Sequence, residues 1–287
     1  MGWQPGNLII LGARPSVGKT AFALNLARNA AVEFNEPVAF FSLEMTSMEL
    51  TDRLIATESG ISSDKLKGKL KMLPDEWQVL EQSIGRIFKS PLYIDETPGL
   101  TLTEFTAKAK RLVREKGVRI IFVDYLQLMH SGKPMAGGFS KVQEVTEISN
   151  TLKTTAKELN VPIIALAQLN RNLMSRMGSN GKPVLSDLKD SGSIEQDADI
   201  VVFLHRPGLI GLTDDPEELA KTEVIFAKNR NGQVGSVNMR YVGHLMKFED
   251  DHNALYEATM IVGTHSSPTY NPFDEFNPSQ NEFYKNQ

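Results

Sequence analysis

Short apolar runs alternate along the chain with segments in which apolar residues recur every three or four positions. The apolar runs predict buried strands, and the spaced pattern predicts helices that bury one face. The predicted strands are residues 8–11, 37–43, 92–95, 119–124, 162–168 and 200–205. The predicted helices are residues 21–32, 47–58, 74–88, 101–116 and 141–160.

The order of these elements predicts the fold class. Strands that alternate with helices between residues 8 and 168 favour an α/β fold with a mainly parallel central sheet and helices on both faces. Residues 223–228 and 236–241 flank a turn that contains Asn and Gly, and they predict a C-terminal β-hairpin region. Residues 266–287 show no period and are rich in Ser, Pro, Asn and Gln, which predicts a disordered tail after a domain of residues 1–265.

Composition narrows the class of protein. The 287 residues, 41% hydrophobic and 23% charged, are typical of one large globular domain or two small ones. The absence of cysteine excludes disulfides and thiol nucleophiles. The start of the chain lacks the features of a signal peptide, and no apolar run reaches the ~18 residues of a membrane span, so we expect a cytoplasmic protein with no membrane partner. A net charge of −4 argues against a basic nucleic-acid coat, although a groove can present Lys and Arg locally.

The segment from residue 7 to residue 25 reads NLIILGARPSVGKTAFALN, which is an apolar strand, a short loop and the start of a helix. Small residues let backbone N–H groups surround phosphates, and the helix N-terminus favours their negative charge. The pattern is that of a phosphate-binding loop, except that Ala13 replaces the usual first glycine. Lys19 is expected to reach the phosphates and the Thr20 hydroxyl to bind magnesium. The predicted nucleotide-binding residues are Gly12, Ala13, Arg14, Pro15, Ser16, Val17, Gly18, Lys19, Thr20 and Ala21.

Polar side chains follow three further predicted strands. Glu44, Asp124 and Gln168 each come at or directly after the end of an apolar run. Ligands of parallel sheets lie outside the carboxyl ends of the strands, so these residues are expected to converge on the phosphate loop. Asp124 suits a magnesium carboxylate, Glu44 a general base that orients water, and Gln168 a sensor of the terminal phosphate. Taken singly, Asp124 and Gln168 also fit ordinary polar residues at strand ends, and Glu44 fits a glutamate favoured by the dipole at a helix N-terminus.

Five segments in this order carry a family resemblance: GARPSVGKTAFALN, FFSLEM, IIFVDYLQLM, IIALAQLNR and SDLKDSGSIEQDADIVVFLHR. Together they closely resemble the C-terminal motor domain of bacterial DnaB-type replicative DNA helicases, over residues 3–262. The resemblance implies a RecA-like ATPase core that uses ATP and Mg²⁺, and a six-membered ring around single-stranded DNA. It implies hydrolysis at subunit interfaces coupled to 5′-to-3′ translocation. It also removes the objection to Ala13, because alanine is common there in the family.

The resemblance further implies site residues that no spacing argument assigns. It makes Lys228 and Arg230 the pair that reaches a neighbouring subunit's γ-phosphate. It assigns contact with the DNA backbone to Lys189, Asp190 and Gly192. The residues leave open whether Arg53 orders the site or forms a surface ion pair. They also leave open whether the loop around Lys133 binds DNA or is a solvated linker.

The first residues resemble the start of the family's motor domain, so we expect a chain without the family's N-terminal helical domain and linker helix. We therefore expect monomers or loose assemblies in dilute solution. Primase and a helicase loader are partners by resemblance. The alternatives are another RecA-like or KaiC-like ATPase, and a non-catalytic docking module for primase or a loader. The choice among ATP, GTP and other nucleotides stays open from the residues alone.

Overall fold

The structure, a computed structural model, describes residues 2–132, 140–169, 181–209, 213 and 215–251, and of residues 189–192 it describes the backbone. The chain divides into two units, Met1–Asp250 and Asp251–Gln287. The predicted domain boundary at residue 265, the tail 266–287 and the loop at Lys133 lie outside the described residues.

A sheet of nine strands, in the order β3-β2-β4-β5-β1-β6-β7-β8-β9, forms the centre of the described part. The neighbours from β3 to β6 pair in parallel, and those from β6 to β9 pair antiparallel. The strands are β1 Leu8–Ala13, β2 Val38–Ser42, β3 Leu92–Asp95, β4 Ile120–Asp124, β5 Ile163–Gln168, β6 Ile200–His205, β7 Lys221–Asn229, β8 Gly235–Val242 and β9 Lys247–Asp250. The predicted α/β class with a mainly parallel sheet and a C-terminal hairpin is confirmed.

The helices begin and end largely where local chemistry requires. Thr101 and Ser140 cap two of them through capping boxes, and Gly60 and Gly117 end two helices in the left-handed conformation. The helices are α1 Lys19–Arg28, α2 Ser47–Ser59, α3 Ser63–Leu66, α4 Pro74–Lys89, α5 Leu102–Lys116, α6 Lys141–Leu159, α7 Gly192–Asp197 and α8 Pro216–Ala220.

Two apolar clusters cover the two faces of the sheet. Along β1, Leu8 and Ile10 pack into the cluster that contains α5 and α6, and Ile9 and Leu11 pack into the cluster that contains α1 and α2. Successive side chains of a strand point to opposite faces, so a strand covered on both sides must be apolar throughout. This explains why the strands read as continuous apolar runs, and it places helices on both faces as predicted.

Some predicted bounds were wrong for identifiable reasons. The helix predicted through residue 32 is α-helical only to Arg28 and continues as a π-helical turn, Asn29–Glu33. The start of α2 at Ser47 is as predicted, and Thr46 caps it, with Glu49 completing the capping box. The sequence interpretation missed α3 and β9, which have four residues each and are too short to show a period.

Gly12 lies inside β1, where a side chain has no room. A Cβ atom there would lie 2.8 Å from the buried ring of Phe203 and 3.2 Å from Leu169. Gly85, in the middle of α4, is the opposite case, since a Cβ atom there would meet nothing within 4 Å. The role of Gly12 is therefore close packing between β1 and β6.

We predict that Gly12→Ala lowers the free energy of unfolding by about 1–3 kcal/mol, because the ring of Phe203 must shift in a packed core. Gly85→Ala, the matched control, is expected to raise it by up to about 1 kcal/mol, since alanine favours the helix. Urea unfolding of both variants measures the difference. Equal stability of Gly12→Ala and the unchanged chain would contradict the packing role.

Candidate functional site

The loop between β1 and α1 has the geometry of an anion site. Gly18, at φ 105°, precedes the first residue of α1, and Ser16 has a φ of 65°. A φ of 105° is accessible to glycine and strained for other residues, so Gly18 is required by the backbone. No side chain caps the start of α1, which leaves its first N–H groups to a ligand.

A cleft of about 370 Å³ opens above this loop. It is lined by Ala13, Arg14, Pro15, Ser16, Gly18, Lys19, Thr20, Ala21, Glu44, Arg53, Gln168, Tyr241 and Met246. Eight of the ten predicted nucleotide-binding residues are in this set. The two others face away from the cleft: Gly12 packs on Phe203, and Val17 is buried in the core.

The sheet brings the predicted strand-end residues together. In the parallel pairing, Ser42 lies opposite Asp124 and Ala13 lies opposite Gln168. Lys19 Nζ lies 3.8 Å from Asp124 Oδ1 and 4.3 Å from the centre of the Tyr125 ring. The structure thus gathers residues that lie more than 100 positions apart along the chain.

The Lys19–Asp124 pair is incomplete in the chain alone. The side chains are 11% and 0% exposed, and both carboxylate oxygens of Asp124 lack a hydrogen-bond partner. Burial lowers the pKa of Lys19 even though Asp124 and Glu44 lie near it. Burial likewise raises the pKa of Asp124 despite Lys19, Thr20 and Arg53. Both shifts disfavour the charged forms, because the attraction between the two groups does not offset their burial, and a bound phosphate and a cation would favour the charged forms.

The residues present fit a magnesium ion that is shared with a bound nucleotide. Mg²⁺ favours one or two protein oxygens together with phosphates and water, and Thr20 and the unpartnered Asp124 provide such oxygens. Among the described residues, no group of three or more His, Cys, Asp or Glu side chains could hold a metal ion. A magnesium site here would therefore depend on the nucleotide.

Glu44 and Gln168 line the cleft as exposed side chains, where they can meet a ligand and water. The Gln127 side chain accepts a hydrogen bond from Gln168 N, 3.3 Å away, and donates one to Gln168 O at 3.2 Å. Gln127 thereby fixes the end of β5 that carries Gln168. Sequence reasoning missed Gln127, although it lies in the motif that contains Asp124.

The C-terminal strands supply one wall of the cleft, which sequence reasoning also missed. Phe248 of β9 lies beside Gly18, and its ring packs against the Tyr241 ring at a tilt of 40°, with centres 4.6 Å apart. The Arg206 guanidinium lies 4.6 Å from the centre of the Tyr241 ring. Met246 completes this wall through its carbonyl oxygen, which accepts a hydrogen bond from Asn25 of α1. Tyr241 is thus a flat aromatic surface beside the phosphate loop.

Lys228 and Arg230 lie far from the cleft of their own chain. Asn229 pairs with Ile200 at the start of β6, and Arg230 N donates a hydrogen bond to Asp199 O at 2.9 Å. Because β6 is parallel to β1, this is the edge at which β1 begins, whereas the phosphate loop follows the end of β1. Lys228 and Arg230 therefore lie close to each other, as predicted, but at the edge of the sheet opposite the phosphate loop.

The predicted DNA-contact residues lie between β5 and β6, in the segment that leads to β6. Lys189 and Asp190 lie in a 3-10 helical stretch, Leu185–Ser191, and Gly192 begins α7. Leu188 and Ile194 are buried in the core cluster on the α6 side. The segment therefore lies along the face that α6 covers.

A larger open groove, about 650 Å³, lies between α5 and α6. The residues that line it are of polar types and include Thr106, Thr146, Thr151 and Thr154. It lacks the loop, the helix N-terminus and the incomplete ion pair that mark the cleft at Lys19, so we assign the chemistry to the smaller cleft. No helix among the described residues is long and apolar enough to cross a membrane.

The sequence of the chain is similar to those of known replicative DNA helicases. A family model, DnaB-like helicase C terminal domain, matches residues 1–250. The chain is 43% identical over 263 residues to the replicative DNA helicase DnaB of Geobacillus stearothermophilus, covering 91% of this chain and 56% of that protein. It is 44% identical over 248 residues to the replicative DNA helicase DnaC of Bacillus subtilis (strain 168), covering 86% and 53%.

Solved structures show the same fold. One of them, a structure of an ATPase domain, superposes with a TM-score of 0.80 at 35% identity, covering 88% of this chain and 87% of that one. The structure of a DnaB-like replicative helicase and its interactions with primase superposes with a TM-score of 0.79 at 35% identity. The match covers 88% of this chain and 59% of that one. The chain spans little more than half the length of the curated relatives named above. With its RecA-like sheet and its phosphate loop, the chain belongs to the DnaB-like helicase C-terminal domain family.

Proposed function

We propose that the chain is the ATP-dependent motor of a replicative DNA helicase, which hydrolyses nucleotide at subunit interfaces and translocates 5′ to 3′ on single-stranded DNA to unwind the duplex. The observation that carries the proposal is the buried, incomplete Lys19–Asp124 pair at the end of a phosphate loop. The names of the relatives, which are replicative DNA helicases, support it.

The cleft residues divide the chemistry among them. Lys19 binds phosphate oxygens, and the N–H groups at the start of α1 add hydrogen bonds to them. Glu44, exposed beside the cleft, accepts the proton of the attacking water and orients it. Gln168, held by Gln127, contacts the terminal phosphate and reports its loss. Magnesium, held by Thr20 and Asp124, would neutralise charge on the phosphates.

We expect Glu44→Gln to lower kcat for ATP hydrolysis by about 10²–10⁴-fold, because the amide cannot accept the proton. ATP binding should persist, since the phosphate contacts remain. Single-turnover hydrolysis and equilibrium binding of ATP separate the two quantities. Glu115→Gln, at an exposed position near the end of α5, is the matched control. ATP turnover that responds neither to DNA nor to Glu44→Gln would contradict the motor.

The position of Arg230 supports a site shared between subunits. The six residues of β1 span roughly 20 Å at ~3.3 Å per residue, and they separate the edge of Arg230 from the phosphate loop. An arginine side chain is much shorter than this distance, so Arg230 cannot contact a nucleotide bound at the phosphate loop of its own chain. Lys228 and Arg230 therefore act on the nucleotide of a neighbouring subunit, where an arginine is worth orders of magnitude in rate.

Helix α4 offers an apolar surface that supports assembly. Leu73, Trp77, Ile84 and Phe88 recur on one side at helical spacing, and Trp77 and Phe88 are 59% and 89% exposed. The other side of α4 is attached to the domain, since Arg86 pairs with the fully buried Glu58 at 2.7 Å. An exposed apolar stripe of this kind marks a protein contact, and we assign it to the hexameric ring.

A mixing experiment tests the shared site. Glu44→Gln and Arg230→Ala are each expected to hydrolyse ATP poorly, Arg230→Ala by about 10³-fold or more. Mixed together with Mg²⁺ and oligo-dT, they should regain activity, because Glu44→Gln subunits supply an intact Arg230 to Arg230→Ala subunits. Glu44→Gln mixed with Lys19→Ala is the control and should stay inactive, since both lesions lie in the same half-site. Absence of recovery in the first mixture would refute action across the interface.

Contact with DNA is proposed for Lys189, Asp190 and Gly192, on the resemblance of their segment to the family's channel loop. One basic side chain and a glycine N–H suit a grip on successive phosphates that is independent of base sequence. The segment lacks aromatic residues, so base stacking has a minor role.

Lys189→Ala should weaken binding of oligo-dT and mixed-sequence oligonucleotides alike, and lower the slope of log affinity against log salt by about one. Lys116→Ala, at the end of α5, is the control. Fluorescence anisotropy at several salt concentrations measures both. A loss confined to one base sequence would contradict a backbone contact.

Primase is a proposed partner, because one structural relative was determined with its interactions with primase. A helicase loader is proposed on resemblance alone. We propose a cytoplasmic location, because the proposed motor acts on replicating DNA. The family match argues against the alternative of another RecA-like or KaiC-like ATPase, and strand-displacement activity on a forked duplex tests helicase activity directly.

A further inference from the structure

Asp199 is a buried carboxylate between α7 and β6, at the sheet edge that carries Arg230. Its side chain is 9% exposed. Oδ2 accepts hydrogen bonds from Leu8 N, at 2.8 Å, and from Lys153 Nζ, at 2.5 Å. Oδ1 faces the Arg230 guanidinium, with Nη1 3.5 Å away. The two oxygens therefore do different things: one fixes the start of β1, and the other faces the arginine.

Arg230 is held by three contacts to the segment that precedes β6. Its backbone N–H donates to Asp199 O, its Nη2 donates to Gln196 O, and its Nη1 lies beside Asp199 Oδ1. The side chain nevertheless stays 48% exposed. An arginine that is anchored on one side and open on the other keeps a donor group for a ligand.

Lys228 is anchored to the same segment. Its Nζ donates a hydrogen bond to Glu195 O at 2.5 Å. Helix α7, which ends with these carbonyl groups, is itself fixed, because Ser149 of α6 donates to Asp197 Oδ2 at 2.8 Å and Ile194 is fully buried. The two basic side chains thus share one rigid support.

We propose that Asp199 is a positioning residue for Arg230: its Oδ1 orients the guanidinium toward the nucleotide of the neighbouring subunit. The inference rests on the proposed action of Arg230 across the interface. Pre-orientation matters because an arginine that must be ordered at the moment of reaction loses part of its effect on the transition state. Asp199 touches no nucleotide and acts only through Arg230.

Asp199→Asn separates the two functions of the carboxylate. The amide oxygen can take the place of Oδ2 and keep the bonds from Leu8 and Lys153, which turns the amide N–H₂ toward Arg230. Two donors then face each other, so Arg230 loses this contact. Lys153→Met is the matched control, because it removes the other charged partner of Asp199 and leaves the Arg230 contact in place.

Phenylglyoxal, which modifies arginine, gives a measurement that needs no assembly. We expect Arg230 in Asp199→Asn to react several-fold faster than in the unchanged chain, and Arg230 in Lys153→Met to react at the unchanged rate, as measured by mass spectrometry of the Arg230 peptide. Equal rates in all three proteins would overturn the proposal. Faster reaction in both variants would also overturn it, since it would show a general loosening of this edge.

Turnover supplies the second measurement. Asp199→Asn should lower kcat about 10–100-fold with little change in KM, as expected for a misplaced catalytic group. Mixed with Glu44→Gln it should recover activity, as Arg230→Ala does, and mixed with Arg230→Ala it should not. Failure of Arg230→Ala to recover would refute the shared site itself. Recovery by Arg230→Ala but not by Asp199→Asn, or unchanged kcat in Asp199→Asn, would refute only the positioning role.

Discussion

The buried Lys19–Asp124 pair is the constraint on which the rest of the structure depends. Burial lowers the pKa of Lys19 and raises that of Asp124, which favours both neutral forms, and the carboxylate oxygens of Asp124 lack a hydrogen-bond partner. An arrangement of this kind destabilises the empty protein unless the surrounding fold holds it. Two strands covered on both faces hold the pair in place: β4 ends at Asp124, and the loop after β1 leads to Lys19. The site is pre-formed because the sheet leaves it little freedom to relax.

The two halves of the sheet serve two different sites. The parallel strands deliver Asp124, Glu44 and Gln168 to the edge with the phosphate loop, as parallel strands must when their carboxyl ends are polar. The antiparallel extension turns back and carries Arg230 to the other edge, onto the support formed by α7 and Asp199. One chain therefore presents the binding half of a nucleotide site at one edge and, in the proposed assembly, a catalytic group at the other.

Sequence could predict what depends on local pattern. The phosphate loop, Glu44, Asp124 and the parallel sheet follow from strand ends and apolar runs, because a parallel sheet converts strand order into proximity. Gly12 belonged to the right motif but packs on Phe203, since the chain pattern does not show which face of a glycine is crowded. Tyr241 and Asp199 act through contacts that depend on tertiary structure. No spacing rule connects Tyr241 to Gly18, or Asp199 to Leu8, across such distances in the chain.

The hairpin of β7 and β8 reaches both edges of the sheet. Tyr241, near the end of β8, borders the cleft of its own chain, and Arg230 follows β7 at the far side. In the proposed ring, a single paired ribbon would thus lie between two consecutive nucleotides, with one end at each. The length of that hairpin, rather than the circumference of the ring, would then set the distance between consecutive nucleotides. Subunits that hold nucleotide would be spaced alike, and an empty one would be free to depart from that spacing, which makes partial occupancy a source of asymmetry.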